Sequence, residues 1–326
     1  MRAVLIVNPN ATSTTPAGRD LLAHALESRV RLDVVHTDHR GHAVEIAEDA
    51  RRDRIDAIIV HGGDGTVNEV VNGLLGPPGT DRPEPSTLPA VGVVPGGSAN
   101  VFARALGISP DPIAATNQLV DLIDGRRHGG SWRRIGLMDC AEKWAVFTAG
   151  MGVDGDVVAA VEAQRAKGRK VTAARYIRIG VREMLGNIRA EPLLTLHLPG
   201  REPVGGVHFA FVSNASPWTY ANSRPARTNP GTTFEGGLGV FAMTTMNIVS
   251  NLLALRRMLS STAEIKGRHL IREDDVAWVR LTAAAPIACQ VDGDFLGPRT
   301  DMVFTAVPDA LDVVAPLPDQ GSELRR

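Results

Sequence analysis

Two glycines, a carboxylate and a glycine–threonine pair stand together in Gly62-Gly63-Asp64-Gly65-Thr66. An apolar run, Ile58-Ile59-Val60, precedes them. Val67, Val70, Val71 and Leu74 follow, all on one face of a helical pattern. A strand, a glycine turn and a helix start in that order can aim backbone N–H groups and the positive end of a helix dipole at a phosphate. Asp64 would repel bare phosphate, so its presence calls for a metal or a reacting hydroxyl close by. The plainer reading is a strand-to-helix turn that uses glycine for its backbone freedom.

The elements that must position this turn are legible as repeats. Residues 3–7 form an apolar strand ending in the polar turn Asn8-Pro9-Asn10-Ala11-Thr12, and a helical pattern fills 18–30. A short strand at 32–36 and a helix pattern on Ala43, Ile46, Ala47 and Ala50 lead to the Ile58 strand. A Pro/Gly-rich loop at 76–89 precedes a fourth strand at 91–94. Pro95-Gly96-Gly97-Ser98-Ala99-Asn100 and a helix over about 101–106 follow it. Repeated strand–turn–helix units predict an open parallel α/β sheet, with ligands at the carboxyl ends of its strands. The turns after Val7, Val60 and Val94 fall at such ends and converge on one site.

A further helix at 111–123 and a linker at 125–130 close this part. Strand-like runs then appear at 134–140, 144–149, 193–198, 207–213, 238–243, 276–282, 287–291, 302–306 and 311–314. Helix patterns lie at 156–165, 172–188 and 247–260. This texture predicts a mainly antiparallel β domain, of sandwich type. The boundaries are 1–128 for the α/β domain, 129–316 for the β domain and 317–326 for a polar tail. The C-terminal end of the β domain is free to pack back on the first.

The chain has 326 residues, 44% hydrophobic and 22% charged, with formal net charge −1, so nothing global points to nucleic acid. Cys140 and Cys289 are the only cysteines, and both are read as buried thiols in a reducing compartment. The chain opens on a strand rather than an apolar signal core, and no uncharged apolar run reaches the roughly 18 residues a membrane helix needs. A cytoplasmic protein with peripheral membrane contact is expected. No GxxxxGK[ST] motif occurs, which rejects a P-loop. Gly150-Met151-Gly152-Val153-Asp154-Gly155 matches a dinucleotide fingerprint, but Arg175 stands where the ribose-binding acid belongs. It is read as a tight turn.

Taken together, His61-Gly62-Gly63-Asp64-Gly65-Thr66-Val67-Asn68-Glu69 resembles the signature of the diacylglycerol kinase catalytic domain family. That family includes bacterial soluble lipid kinases and sphingosine kinases and is distantly related to NAD kinases. Further blocks match in order: Asn8-Pro9; Thr37 with Gly41-His42-Ala43 and Glu45; 95–104; 150–154; Glu235-Gly236-Gly237-Leu238; and Asp292-Gly293-Asp294. The resemblance implies ATP in a cleft between a nucleotide-binding α/β domain and a β-sandwich lipid domain, and phosphoryl transfer to a lipid hydroxyl. Nucleotide contacts would come from Asn8, Pro9, Asn10, Ala11, Thr12, Thr37, Gly63, Asp64, Gly65, Thr66, Val67, Asn68, Glu69 and Ser98. Asp64 would organise the catalytic magnesium, and Asp139 would support that network. Asp294 would be the general base that takes the hydroxyl proton. A second, structural magnesium would use Glu235 with the carbonyls of Thr232 and Gly237.

Four departures from the family pattern bear on activity. Val101 stands where the family's third block has Asp. Asp294 replaces the usual Glu and is one methylene shorter. Glu235 replaces an Asp metal ligand. The segment 214–220 (Asn-Ala-Ser-Pro-Trp-Thr-Tyr) replaces a glycine-rich turn near the acceptor.

For membrane contact, Arg165, Lys167, Arg169 and Lys170 form a basic loop. The helix after it carries Ile177, Val181, Met184, Leu185 and Ile188 on one side and Arg175, Arg178 and Arg182 on another. The plainer reading is a core-packed helix with a solvated face. Trp218 and Tyr220 are read either as interfacial anchors or as core. The leading expectation is an ATP- and magnesium-dependent kinase acting on diacylglycerol in phospholipid metabolism, with a homodimer compatible with the chain. The alternatives are a sphingoid-base or other lipid kinase, an NAD kinase, and a catalytically weak nucleotide- or lipid-binding regulator.

Overall fold

The computed structural model describes residues 1–11, 16–79, 81–166, 178–180, 182–183, 191, 193–221, 224–247, 256–258 and 267–318. The chain divides into two compact units. The first comprises Met1–Leu137, Glu142–Val146 and the chain from Pro308; the second comprises Met138–Ala141 and Phe147–Val307.

In the first unit, β1 (Arg2–Val7), β2 (Arg31–His36), β3 (Ala57–Gly62) and β4 (Ala90–Pro95) form a parallel sheet in the order β2-β1-β3-β4. Val7 pairs with His36 and with His61, and His61 pairs with Val94, so the carboxyl ends of the strands lie level. β3 and β4 are buried throughout and β1 almost so, as their unbroken apolar runs require of parallel strands. β2 reads RLDVVH and is largely exposed, the polar pattern that protects a sheet edge. The helices are α1 (Pro16–Glu27), α2 (His42–Arg52), α3 (Asp64–Leu75), α4 (Val101–Ala105) and α5 (Pro112–Arg127). α2 and α3 touch at Gly73, where a Cβ would come within 2.4 Å of the Val44 carbonyl oxygen. β5 (Arg133–Asp139) then pairs with β6 (Trp144–Ala145).

The second unit is antiparallel and β-rich. Its central strands are β7 (Thr148–Met151), β10 (Phe209–Ser213), β13 (Leu238–Met243), β14 (Leu270–Val276), β15 (Trp278–Val291) and the first part of β16 (Asp294–Val313). They run in the order β14-β13-β10-β7-β15-β16. β8 (Leu194–His197) pairs with β15 and with β9 (Val204–Val207). β11 (Thr219–Ala221) and β12 (Arg224–Ala226) make a separate hairpin. α6 (Val153–Ala166) follows β7 directly. Phe211 stacks on Trp218 at 4.7 Å and on Phe241 at 6.0 Å, so Trp218 belongs to the apolar core of this unit. Cys140 and Cys289 are both buried and unbridged.

The expected α/β plus antiparallel architecture holds, with differences in individual strands. Runs expected as two strands, 276–282 and 287–291, belong for the most part to the single strand β15, whose register shifts between Thr282 and Ile287. The β15–β16 register steps from Thr282–Asp301 to Ile287–Arg299, so residues 283–286 interrupt both the side-chain alternation and the pairing with β16, while Ala283 keeps Leu194 of β8 as its partner. β16 likewise runs unbroken through Pro298 and Pro308. Among the described residues no helix is long and apolar enough to cross a membrane.

Candidate functional site

The three turns of the first unit are tied to one another by backbone. The Asn8 N–H donates to the His61 carbonyl (3.0 Å), and the Asn8 amide donates to the Thr66 hydroxyl (3.1 Å) while accepting from the Asn10 N–H (2.9 Å). The Gly96 N–H donates to the Gly62 carbonyl (2.8 Å), extending the β3–β4 pairing into the turns. A Cβ on Gly96 would lie 3.0 Å from the Gly62 Cα, and one on Gly97 would lie 2.8 Å from the Gly63 Cα. Gly96 and Gly97 are therefore demanded by turn-on-turn packing, whereas a Cβ on Gly62 would press on the Thr66 side chain (2.9 Å) and one on Gly63 would sit in ordinary contact with Gly97 (3.4 Å). Gly65 is different, since a Cβ there would meet nothing within 4 Å. Asn100, in the left-handed region at φ 49, closes the third turn by donating to the Gly97 carbonyl and accepting from its N–H, both at 2.8 Å.

Asp64 opens α3, and its two carboxylate oxygens accept the N–H groups of Val101 and Phe102, each at 3.0 Å. It therefore caps α4 from another helix, a tie that the sequence does not reveal. Burial raises its pKa, and the N–H groups of Phe102, Val101 and Asn100 pull it back down. Glu69 caps α2 in the same manner, accepting from Gly41 (3.0 Å) and Ala43 (3.3 Å). The buried Asn68 donates to the Trp144 carbonyl (2.9 Å). Asn72, one turn on, accepts from the Trp144 N–H (2.9 Å). Asn72 escaped the sequence reading, although its i+4 spacing from Asn68 was a usable signal. His61 is buried beneath the turns, with its pKa lowered by that burial.

The expected nucleotide contacts thus fall into two sets. Pro9, Asn10, Gly65 and Ser98 are exposed on the rim, with Asn8, Ala11, Gly63 and Asp64 partly buried behind them. Thr37, Thr66, Val67 and Asn68 are buried, and Glu69 is bonded to the backbone of the 41–43 turn. Thr12 lies outside the described residues, as do Lys167, Arg169, Lys170 and most of the basic helix after them.

In the second unit, Asp292 (φ 49) and Gly293 (φ 80) form the two-residue turn between β15 and β16, where Val291 pairs with Asp294. Two left-handed residues are what a tight hairpin of this kind requires, and Asp-Gly supplies them. Asp292 Oδ1 accepts from the N–H groups of Phe147 (3.1 Å) and Thr148 (2.9 Å). Asp294, partly buried, opens β16. Asp139 accepts from the Ala141 N–H (2.7 Å). In the loop before β13, the Thr232 hydroxyl donates to Asp274 (2.8 Å) and the Gly237 N–H to Asp275 (2.6 Å), while Glu235 is exposed. Asp274 and Asp275 escaped the sequence reading, their only signal being an adjacent acid pair in an edge strand. A cavity of about 210 Å³ lies within this unit, lined by Val153, Asp156, His208, Met246, Ile287 and Ala288 among others.

Residues 2–127 match the family model of the diacylglycerol kinase catalytic domain. The match bears out the family resemblance over the stretch that carries all three glycine turns. The lipid kinase YegS of Escherichia coli (strain K12) is 35% identical over 106 residues, which is 32% of this chain and 33% of that protein. The matched stretches span 33–38% of the length of such curated relatives. A diacylglycerol kinase from Bacillus anthracis str. Sterne shares the fold across 97% of both chains, with TM-score 0.70 and 17% identity. An NAD kinase from Archaeoglobus fulgidus, solved in complex with ATP, covers 99% of this chain and 97% of its own, with TM-score 0.52 and 12% identity.

The residues present fit one metal-binding mode better than another. Among the described residues no group of three His, Cys, Asp or Glu side chains is placed to cage a metal. A magnesium ion carried by polyphosphate needs only one or two protein carboxylates and keeps several waters. Asp64, a single carboxylate at the start of α3 beside the glycine turns, is the side chain that would serve that mode. Val101, buried at the start of α4, offers none.

Proposed function

We propose that the protein is an ATP- and magnesium-dependent lipid kinase whose acceptor is diacylglycerol and whose product is phosphatidic acid. The observation that carries this reading is the exposed rim of Asn10, Gly65 and Ser98 beside the first turn of α3, within the stretch that matches the diacylglycerol kinase catalytic domain. Backbone and hydroxyl donors at a helix start are suited to phosphate oxygens. Asn8 to Ala11, Gly63 to Thr66 and Ser98 are assigned to the nucleotide, with Thr37, Val67, Asn68 and Glu69 supporting them from below. Asp64 is assigned to the magnesium or its waters. When bound, the ion neutralises charge on the phosphates.

Asp294 is assigned as general base. As the acceptor oxygen bonds to the γ-phosphorus, the bond from that phosphorus to the bridging oxygen of ADP breaks, and the hydroxyl proton passes to the Asp294 carboxylate. The cavity, whose wall carries Asp156, Glu191 and His208 beside Val153, Met246 and Ile287, suits an acceptor with both a polar and an apolar part. At about 210 Å³ it suits a headgroup and a few methylenes rather than whole acyl chains. Contact with the membrane is peripheral in this reading. Glu235 with Thr232 and Gly237 is retained as the proposed structural metal site, and Asp139 as support for the acidic network.

One panel assay tests the reading: γ-labelled ATP and magnesium with diacylglycerol, sphingoid base, ceramide, phosphatidylglycerol and NAD as acceptors. Label is expected in phosphatidic acid. Asp294→Asn is expected to lower kcat by about 10²–10⁴-fold. Label in NAD alone, or undiminished lipid labelling by Asp64→Asn, would overturn the assignment.

A further inference from the structure

Gln290 lies two residues before the Asp292-Gly293 turn and is only 2% exposed. A buried amide needs partners at both ends. Its oxygen accepts the Gly293 N–H at 2.9 Å, and its nitrogen donates to Asp154 Oδ2 at 2.5 Å. A backbone N–H is only ever a donor, so Gly293 fixes which end of the amide is oxygen and leaves the nitrogen facing Asp154. Asp154 stands in the first turn of α6 and is itself buried. Gly150 makes room for it, since a Cβ there would lie 2.7 Å from Asp154 Oδ2. The turn is gripped a second time through Asp292, which accepts two N–H groups at the start of β7 and donates its own N–H to the Thr148 carbonyl (2.8 Å).

A two-residue hairpin turn closes through its own backbone and needs no such external ties. Here both turn residues are anchored, one to β7 and one through Gln290 to α6. The residue that benefits is Asp294, next in the chain. We propose that Gln290, oriented by Asp154, is a positioning residue that fixes the Asp292-Gly293 turn and thereby sets the Asp294 carboxylate for taking the acceptor's proton. This rests on the reading of Asp294 as general base, a role in which a misplacement of about 1 Å costs on the order of 10²-fold.

The test uses the full chain with Gln290→Met, which keeps length and removes both polar atoms, and Asp154→Asn, which keeps an acceptor for the Gln290 nitrogen. Gln290→Met is expected to lower kcat per folded molecule by about tenfold or more with KM for ATP unchanged within about twofold, and Asp154→Asn to stay within about threefold of wild type. Independently of turnover, hydrogen exchange at the Gly293 amide is expected to speed up about tenfold or more in Gln290→Met and to stay slow in Asp154→Asn. Wild-type exchange and kcat in Gln290→Met would overturn the proposal. Should Gln290→Met not fold, Gln290→Asn, one methylene short of spanning both partners, replaces it with the same expectations. If wild type labels no acceptor, the functional reading fails by itself. Gly293 exchange then judges the tie alone: faster exchange in the Gln290 variant upholds it, and unchanged exchange overturns it.

Discussion

Two passages of this chain use the same ingredients to different ends. β3 passes into α3 through Gly62-Gly63-Asp64, and β7 passes into α6 through Gly150, Gly152 and Asp154. Each has closely spaced glycines, an Asp in the first helical turn and an apolar helix after it. β3 lies between parallel neighbours whose ends are level, so Gly96 and Gly97 of the next turn close on the backbone of Gly62 and Gly63 while Gly65 is left facing outward. β7 lies between antiparallel neighbours. A Cβ at Gly152 would lie 2.6 Å from the His208 carbonyl oxygen, and one at Gly155 would lie 2.4 Å from that of Ala288. That turn is filled with protein. The acids differ in the same sense. Asp64 is held by backbone N–H groups from α4, whereas Asp154 has a single glutamine amide. Glycine and acid spacing makes the strand-to-helix turn; the direction of the neighbouring strands decides whether the turn is open to a ligand.

The largest expected effect tests the contrast between the two acids. Burial pushes Asp154 from its reference value of 3.8 up to about 7, against the lowering effect of the Gln290 hydrogen bond. A carboxyl with a raised folded pKa holds its proton more tightly in the folded than in the unfolded state. Its contribution is therefore full below pH 3.8 and is lost as pH rises through about 7. Over that window the loss amounts to ~4 kcal/mol at most. Asp154→Asn does not titrate, so urea unfolding from pH 4 to pH 8 should show wild type losing stability relative to the variant. Asp64→Asn should move in the same direction, because burial raises that carboxyl's pKa as well, against the backbone N–H groups that lower it. Parallel curves for wild type and Asp154→Asn would remove the contrast.

A smaller effect tests the turn-on-turn packing. Gly97→Ala drives a Cβ to 2.8 Å from the Gly63 Cα, and neither backbone can swing away as a side chain would. The cost expected from overpacking is ~1–3 kcal/mol, read as a lower urea midpoint at unchanged slope. A midpoint equal to wild type would mean the two turns are not held against each other in solution.

How much of this was legible depends on the distance to the partner in the chain. The parallel sheet and the convergence of its three turns follow from local strand–turn–helix repeats. The Asp-Gly hairpin at 292–293 was not legible, because the strand pattern that follows 287–291 in the sequence begins only at 302, whereas β16 starts at Asp294. The roles of Asp64 and Glu69 were not, because the N–H groups they cap lie 37–38 and 26–28 residues away. Asn68 finds its partner 76 residues on. Their residue types suggested ligand chemistry, yet tertiary hydrogen bonds had already claimed much of it. The sequence divides β15 at 283–286, where the register against β16 shifts although the strand continues.

The smallest expected effect is the most discriminating. Gly65 is the second residue of α3, exposed, and free of any neighbour that a Cβ would meet. Gly65→Ala should therefore stabilise the fold by about 0.4–1 kcal/mol, through the helix and the reduced freedom of the unfolded chain. If phosphates approach the backbone at this rim, the added methyl raises KM for ATP even as the protein becomes more stable. Gly155→Ala, in the filled turn, should do the reverse, losing stability to the Ala288 carbonyl and leaving KM for ATP unchanged in the molecules that remain folded. The pair separates a glycine kept for packing from one kept for a ligand. A Gly65→Ala protein with unchanged KM would move the phosphate site off this rim, whatever the turn's resemblance to others.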